Sequence, residues 1–240
     1  MEFTEAIVLK ALDYKDSSKI LYLYTNKGLK SIIAHGVKKM NNINRFLSQN
    51  GNLIFVTFSK GSFPSLKEGE LLNDFPKTKN DLLAYAYVNH ILELVNNTIT
   101  EDADHPKMFN FLKKLLNLFN EEKDPEILGF IFELKLLYFL GYGLNFKQCN
   151  ICGAKEDLVF NIDEGGLVCK SHLSLNQQSY SSEIYLAIAK LYYLDIDQDY
   201  EIELQKNERI ILRNIIDQLF DQYVSFKTKS RNIIRQIQKY

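Results

Sequence analysis

Four residues constrain this chain more than any others. Cys149 and Cys152 are separated by two residues and followed by Gly153, and Cys169 and His172 repeat that spacing after Gly165 and Gly166. Two short ligand pairs divided by sixteen residues are the pattern by which two tight turns close a tetrahedral shell on one metal ion, here with three thiolates and one imidazole. Two intervening residues let successive backbone N–H groups point at the first sulfur, and Gly153 offers a backbone free to take φ > 0 as the turn closes. All the cysteines of the chain lie in this motif, so none is left over. A disulfide framework fits poorly, because three cysteines cannot all pair within one chain and no secretory signal is visible. Four protein ligands leave no open position for water, so the expected occupant is a structural Zn2+.

With 240 residues, 46% of them hydrophobic, the chain has enough apolar surface for one large domain or two to three small ones. Its net charge of −1 hides an asymmetry: residues 1–67 hold ten Lys/Arg against four acids, which leaves the remainder acidic. A basic N-terminal module on an acidic body suits a polyanion docking at one end. The N-terminus carries no positive n-region, and the most apolar stretch, Ile127 to Leu144, is broken by Glu133 and Lys135. The expectation is a cytoplasmic protein, associated with the nucleoid if its polyanion is DNA, and no membrane partner.

Five runs rich in β-branched and aromatic residues alternate with period two: Ala6 to Leu12, Lys19 to Thr25, Leu29 to His35, Asn52 to Phe58 and Lys67 to Leu72. Turn chemistry separates them at Asp13 to Ser18, at Asn26 to Gly28 and at Lys60 to Pro64. Five strands in this length suit a small closed barrel, of which the OB-fold is the commonest and an SH3-like barrel the competitor. His35 to Phe46 follows the third strand and carries Lys38, Lys39 and Arg45 beside an aromatic. Nucleic-acid grooves combine cations for phosphates with aromatic faces for bases, and the competing reading is a solvated charged loop.

From about Asp81 the period becomes helical. Leu82, Leu83, Ala86, Ile91, Leu94 and Val95 line one side of a first helix, with His90 read as a packed or partly exposed residue and not a ligand. Asp104 and Pro106 open a second helix, around Lys107 to Asn120, and Asp124 and Pro125 a third that stops at Gly141 to Gly143. After His172, helices are expected over Ser181 to Leu194 and Lys206 to about Val224. The tail from Phe226 to Tyr240 is basic, with isoleucines at helical spacing; it reads as a solvated amphipathic helix or as a second anion contact. The expected class is α+β multidomain: an N-terminal five-stranded OB-fold barrel over residues 1–80, an all-α helical domain over 81–147 and 175–240, and an inserted zinc ribbon over 148–174.

In this order the pieces resemble the RecO family of bacterial recombination mediators. The likeness rests on Thr4 to Tyr14 followed by Ser18 to Leu21, on Gly28 to Lys39, on Leu134 to Gly143 leading into Cys149, and on Lys227 to Arg231. The resemblance implies a non-enzymatic protein that binds single- and double-stranded DNA and anneals complementary strands. It also implies work with RecR to load the RecA recombinase where single-stranded DNA-binding protein (SSB) covers the strand. The SSB C-terminal tail would be a partner, and RecF a further one. Candidate DNA contacts are Lys15, Lys19, Lys30, Lys38, Lys39 and Arg45 of the barrel and Lys227, Lys229 and Arg231 of the tail; candidate metal ligands are Cys149, Cys152, Cys169 and His172. His172 departs from the family's usual four cysteines, and imidazole is an acceptable replacement. The alternative is an OB-fold and zinc-ribbon RNA-binding protein of translation or transcription. A zinc hydrolase fits less well, because the shell is closed and no Glu–His pair has metalloprotease spacing.

Overall fold

Period-two alternation turns alternate residues of the N-terminal runs toward one common core, and this builds the barrel. The computed structural model describes residues 3–173, 179–198, 200–224 and 226–238. Its first strands are β1 (Thr4–Tyr14), β2 (Ser18–Thr25), β3 (Gly28–Ala34), β4 (Leu53–Phe58) and β5 (Leu66–Asn73). Ala6, Val8, Leu21, Leu23, Ile32, Ala34, Ile54 and Val56 point inward as one buried cluster, with Val37 and Leu47 from the β3–β4 connection packed onto it. The sheet order is β3-β2-β1-β4-β5, and every neighbouring pair is antiparallel. β1 is long enough to pair with both β2 and β4, and its pairing with β2 shifts register between Val8 and Lys10. Such a shift bends a strand and helps a sheet curl. The edge strands meet at one parallel bridge, Ile33 with Ser65, backed by the Ile33 N–H donating to Pro64 O at 2.8 Å. This is the five-stranded OB-fold arrangement, with closure at a single bridge where the sequence predicts a fully closed barrel.

Helices follow, each begun by the local chemistry of its first turn. A short α1 (Pro76–Asn80) precedes α2 (Leu82–Thr98), whose Asp81 cap accepts from the Ala84 N–H at 2.8 Å. Asp104 caps α3 (His105–Asn120), which starts two residues before the expected Lys107. Asp124 accepts from the N–H groups of Glu126 and Ile127 at the start of α4 (Pro125–Phe139). These caps satisfy donors that the first helical turn leaves open. The later elements are β6 (Leu158–Asn161), β7 (Gly166–Cys169), β8 (Ser179–Tyr180), α5 (Ser182–Tyr193), α6 (Lys206–Tyr223) and α7 (Ser230–Ile237).

Packing divides the chain into two units, residues 1–128 with 226–240 and residues 129–225. In the first unit α2 and α3 pack with the barrel. Lys113 Nζ of α3 lies 2.9 Å from Glu5 of β1, and Tyr24 of β2 stacks edge-on to His105. α7 belongs to the same unit and packs on α2. The second unit contains the sheet β7-β6-β8 and a buried ion pair: Glu133, 0% exposed, receives both terminal nitrogens of Arg213 at 2.6 and 3.0 Å. The Nε of Arg213 donates to Asp217 at 2.7 Å, so the buried Glu133 carboxylate of α4 meets a guanidinium held in place from its other side. Among the described residues no helix is long and apolar enough to cross a membrane.

Candidate functional site

The two halves of the cysteine–histidine motif converge. One ligand atom from each of Cys149, Cys152, Cys169 and His172 lies within 4.8 Å of every other. The first half turns as its spacing demands: Gly153 N–H donates to Cys149 O at 2.9 Å, Cys149 N–H donates to Ala154 O at 2.8 Å, and Gly153 takes φ +76°. The second half leaves the end of β7, where Cys169 pairs with Leu158 of β6, and turns through a 3-10 segment to His172. The halves are stitched by Asn150 N–H to Leu167 O at 2.8 Å and Leu167 N–H to Asn145 O at 2.9 Å. A Cβ on Gly166 would come within 2.6 Å of the Asn145 carbonyl oxygen, so this stitching requires glycine there.

The donor geometry suits one small ion. The Cys152 and Cys169 sulfurs are 3.8 Å apart, and His172 Nδ1 lies 3.2 Å from Cys169 Sγ and 3.8 Å from Cys149 Sγ. A tetrahedron with metal–sulfur bonds of about 2.3 Å and metal–nitrogen bonds of about 2.0 Å has edges of roughly 3.5–3.8 Å. None of the cysteines forms a disulfide. Burial pushes the Cys149 thiol up, but the backbone N–H groups of Cys152, Cys169 and Ile151, with the His172 ring, pull it further the other way, to about 5. For Cys169 the Ser171 hydroxyl, 3.0 Å from the sulfur, is the leading cause of a downward shift. Hydrogen bonds with Cys149 and then Cys169 push His172 up. Three soft donors and an imidazole, with two thiols biased toward thiolate, can hold a metal ion.

A second candidate site lies at one mouth of the barrel. Residues directly opposite in antiparallel strands share a face, and the pair Ala11 with Leu21 is followed along β1 and β2 by Asp13 with Lys19. The core row therefore ends in charge. Lys38 arrives from the β3–β4 connection, held there by its N–H donating to Ser17 O at 3.0 Å, and its Nζ reaches Asp13 at 2.8 Å. Arg45 comes from the 3-10 helix Ile43–Ser48, whose first turn Asn42 caps. Lys19, Lys38 and Arg45 line one open groove of about 370 Å³ together with Asp13, Val37 and Gln49. Phe46, beside Arg45, is 59% exposed.

The other expected contacts are distributed differently. Lys15 occupies the β1–β2 turn in the left-handed region, φ 54°, with its Nζ 5.3 Å from the Tyr14 ring centre. Lys39 is exposed next to Lys38, whereas Lys30 is exposed on β3 opposite Leu23, four residues along β2 from Lys19. Lys227 and Lys229 are exposed and Arg231 half-buried at the start of α7, where the intervening Thr228 and Ser230 are buried. His90 is buried and places Nδ1 2.6 Å from the Thr228 hydroxyl, and Glu93 accepts from the N–H groups of Lys229 and Ser230 and from the Ser230 hydroxyl. The hydroxyls of this basic motif thus fasten α7 to α2. Sequence reasoning placed Asp13 only in the polar turn after the first run; in the structure it lies in β1 opposite Lys19, two residues on from the Ala11–Leu21 pair.

Comparison with known proteins adds an independent line. The family models described as recombination protein O N terminal and recombination protein O C terminal match residues 1–75 and 79–232. A protein called DNA repair protein RecO from Halalkalibacterium halodurans is 29% identical over 241 residues, covering 98% of this chain and 94% of the relative. Proteins of the same name from Bacillus cytotoxicus and Bacillus mycoides are 27% and 28% identical, each match covering 98% of this chain and 97% of the relative.

Proposed function

We infer the activity from one premise: this chain belongs to the RecO family, whose N- and C-terminal domain models it matches in order. It is a DNA repair protein of that family that binds single- and double-stranded DNA at the barrel mouth and anneals complementary strands. Together with RecR it helps load the RecA recombinase on strands covered by SSB, with the SSB C-terminal tail and RecF as further contacts. It acts in the cytoplasm, on the nucleoid. The observation that carries this reading is the convergence of Lys19, Lys38 and Arg45 in one groove of an OB-fold, with the exposed Phe46 next to Arg45 in the chain.

Cations gathered on a barrel mouth neutralise phosphates without reading bases, and an exposed aromatic accepts any base face. Neutralisation lowers the repulsion between complementary strands, so annealing speeds up and fades with salt. Nothing in this sequence of events breaks a covalent bond, and the protein is proposed not to be an enzyme. Zn2+ is the proposed metal, held by Cys149, Cys152, Cys169 and His172, and it supplies structural crosslinking of the two halves.

The test is the annealing rate of two complementary strands coated with cognate SSB, at low and moderate salt. Acceleration that fades with salt is expected, and Lys38→Ala with Lys39→Ala weakens binding to all sequences alike and flattens its salt slope. Unchanged affinity in that double variant removes both residues from the interface.

A further inference from the structure

The groove contains one carboxylate among its cations, and that carboxylate is bonded to Lys38. Asp13 Oδ2 lies 2.8 Å from Lys38 Nζ, on the face it shares with Lys19 across the β1–β2 pair. Asp13 is the more exposed partner, with 68% of its side-chain surface open against 31% for Lys38. The hydrogen bond from Lys38 first, and then the charges of Lys38 and Lys19, hold the Asp13 carboxyl below its usual range against the opposing effect of desolvation. A phosphate oxygen and a carboxylate oxygen make the same charge-assisted bond to an ammonium. Lys38 cannot neutralise a phosphate and Asp13 fully at once.

Resting on the reading of this groove as a strand-binding surface, the geometry points to Asp13 as a built-in competitor that occupies the phosphate position on Lys38 and weakens the grip on single-stranded DNA. An arriving phosphate displaces the carboxylate, which swings toward solvent and leaves a like charge beside the strand. The groove then offers the strand a net charge of two where it holds three cations. The consequence for a protein that must pass its strand on is faster release. Affinity is held below what the same cations would give alone.

The test uses the full chain and a labelled oligothymidine, which cannot pair with itself, with dissociation constants measured by anisotropy between 50 and 200 mM salt. Asp13→Asn keeps the shape and removes the charge. It should bind about two- to fivefold tighter at 100 mM salt, the range expected for one exposed ion pair. Its plot of log K against log salt should steepen by about 0.7, the value of one added phosphate contact on a single strand. Asp16→Asn removes an equal charge from the β1–β2 turn outside the pair with Lys38, and should give a smaller gain. In a Lys38→Ala background the gain from Asp13→Asn should shrink. Asp13→Ser repeats the charge removal with a different side chain and guards against a folding artefact in either variant.

Equal gains from Asp13→Asn and Asp16→Asn, or a gain indifferent to Lys38, would mean that only net charge matters and overturn the proposal. So would weaker binding by both Asp13 variants, which would make Asp13 a support for Lys38 instead of its competitor. In each of those cases strand binding through the groove stands. If Lys38→Ala and Arg45→Ala leave the wild-type affinity untouched, the groove itself is not the binding surface, and the two failures are thereby told apart.

Discussion

The metal cluster and the cationic groove are both gatherings of polar side chains, but they are assembled by different kinds of information. Each half of the cluster is one turn of backbone. Two residues separate its ligands, and hydrogen bonds such as Gly153 N–H to Cys149 O fix their distance before any long-range packing is invoked. The groove has no such grammar. Its Asp13–Lys38 pair joins residues 25 apart in sequence, and Lys19 and Arg45 come from a strand and a 3-10 turn with no local reason to meet. A site built from turns is written in spacing, whereas a site built from a barrel mouth is written in register.

Substitutions separate the two kinds of site. The largest effect is expected in the cluster, whose four ligands act as a unit. Cys149→Ser should abolish stoichiometric metal, read by elemental analysis, and unfold the 149–172 segment, read by loss of amide protection. Structural zinc in small modules supplies about 10–16 kcal/mol of apparent binding energy, so one ligand cannot be removed cheaply. A variant that retains one metal per chain would place the cluster with the groove, as a set of independent contacts.

Next comes the buried pair of the same unit. Arg213→Met strands Glu133, 0% exposed, without its partner and should cost about 3–5 kcal/mol in denaturant unfolding. Adding Glu133→Leu should recover most of that loss, because a matched apolar pair avoids the desolvation of both ions.

Smaller again is the cap that Glu93 of α2 provides for α7. Glu93→Ala should cost about 1 kcal/mol, as for other caps. Desolvation raises the Glu93 carboxyl, but the Ser230 hydroxyl and the N–H groups of Lys229 and Ser230 lower it further, so it titrates below its ordinary 4.5. A depressed folded value stabilises most above 4.5 and stops stabilising as the pH falls through that lower value. Thermal midpoints of wild type and Glu93→Ala should therefore converge on acidification. The smallest effect on stability belongs to the groove: Arg45→Ala should change it by no more than about 0.5 kcal/mol while making the salt slope of single-strand binding shallower by about 0.7.

The same distinction explains what could be read from the chain alone. Five strands show in the alternation of residues such as Ala6, Val8, Leu21 and Leu23, because a half-buried strand repeats every two residues. Helix α1 does not show, since Pro76–Asn80 spans little more than one turn and has no period to display. The residues of the cysteine–histidine cluster are visible one by one. The cations of the groove are visible as a basic stretch, but not which three of them converge, and a single Asp13 at a strand end reads as an ordinary solvated acid. In the tail, Lys227, Lys229 and Arg231 draw the eye, while Thr228 and Ser230 do the fastening through His90 and Glu93, 138 and 137 residues away. Nothing local encodes a contact over that distance.

Both chain segments of the barrel-bearing unit flank the other unit, since residues 129–225 lie between residue 128 and residue 226. On a translating ribosome the cap acceptor Glu93 therefore emerges long before the helix it caps. Residues 129–225 are synthesised while α2 still waits for α7. Synthesis order thus lets the barrel-bearing unit close only once its last segment has been made.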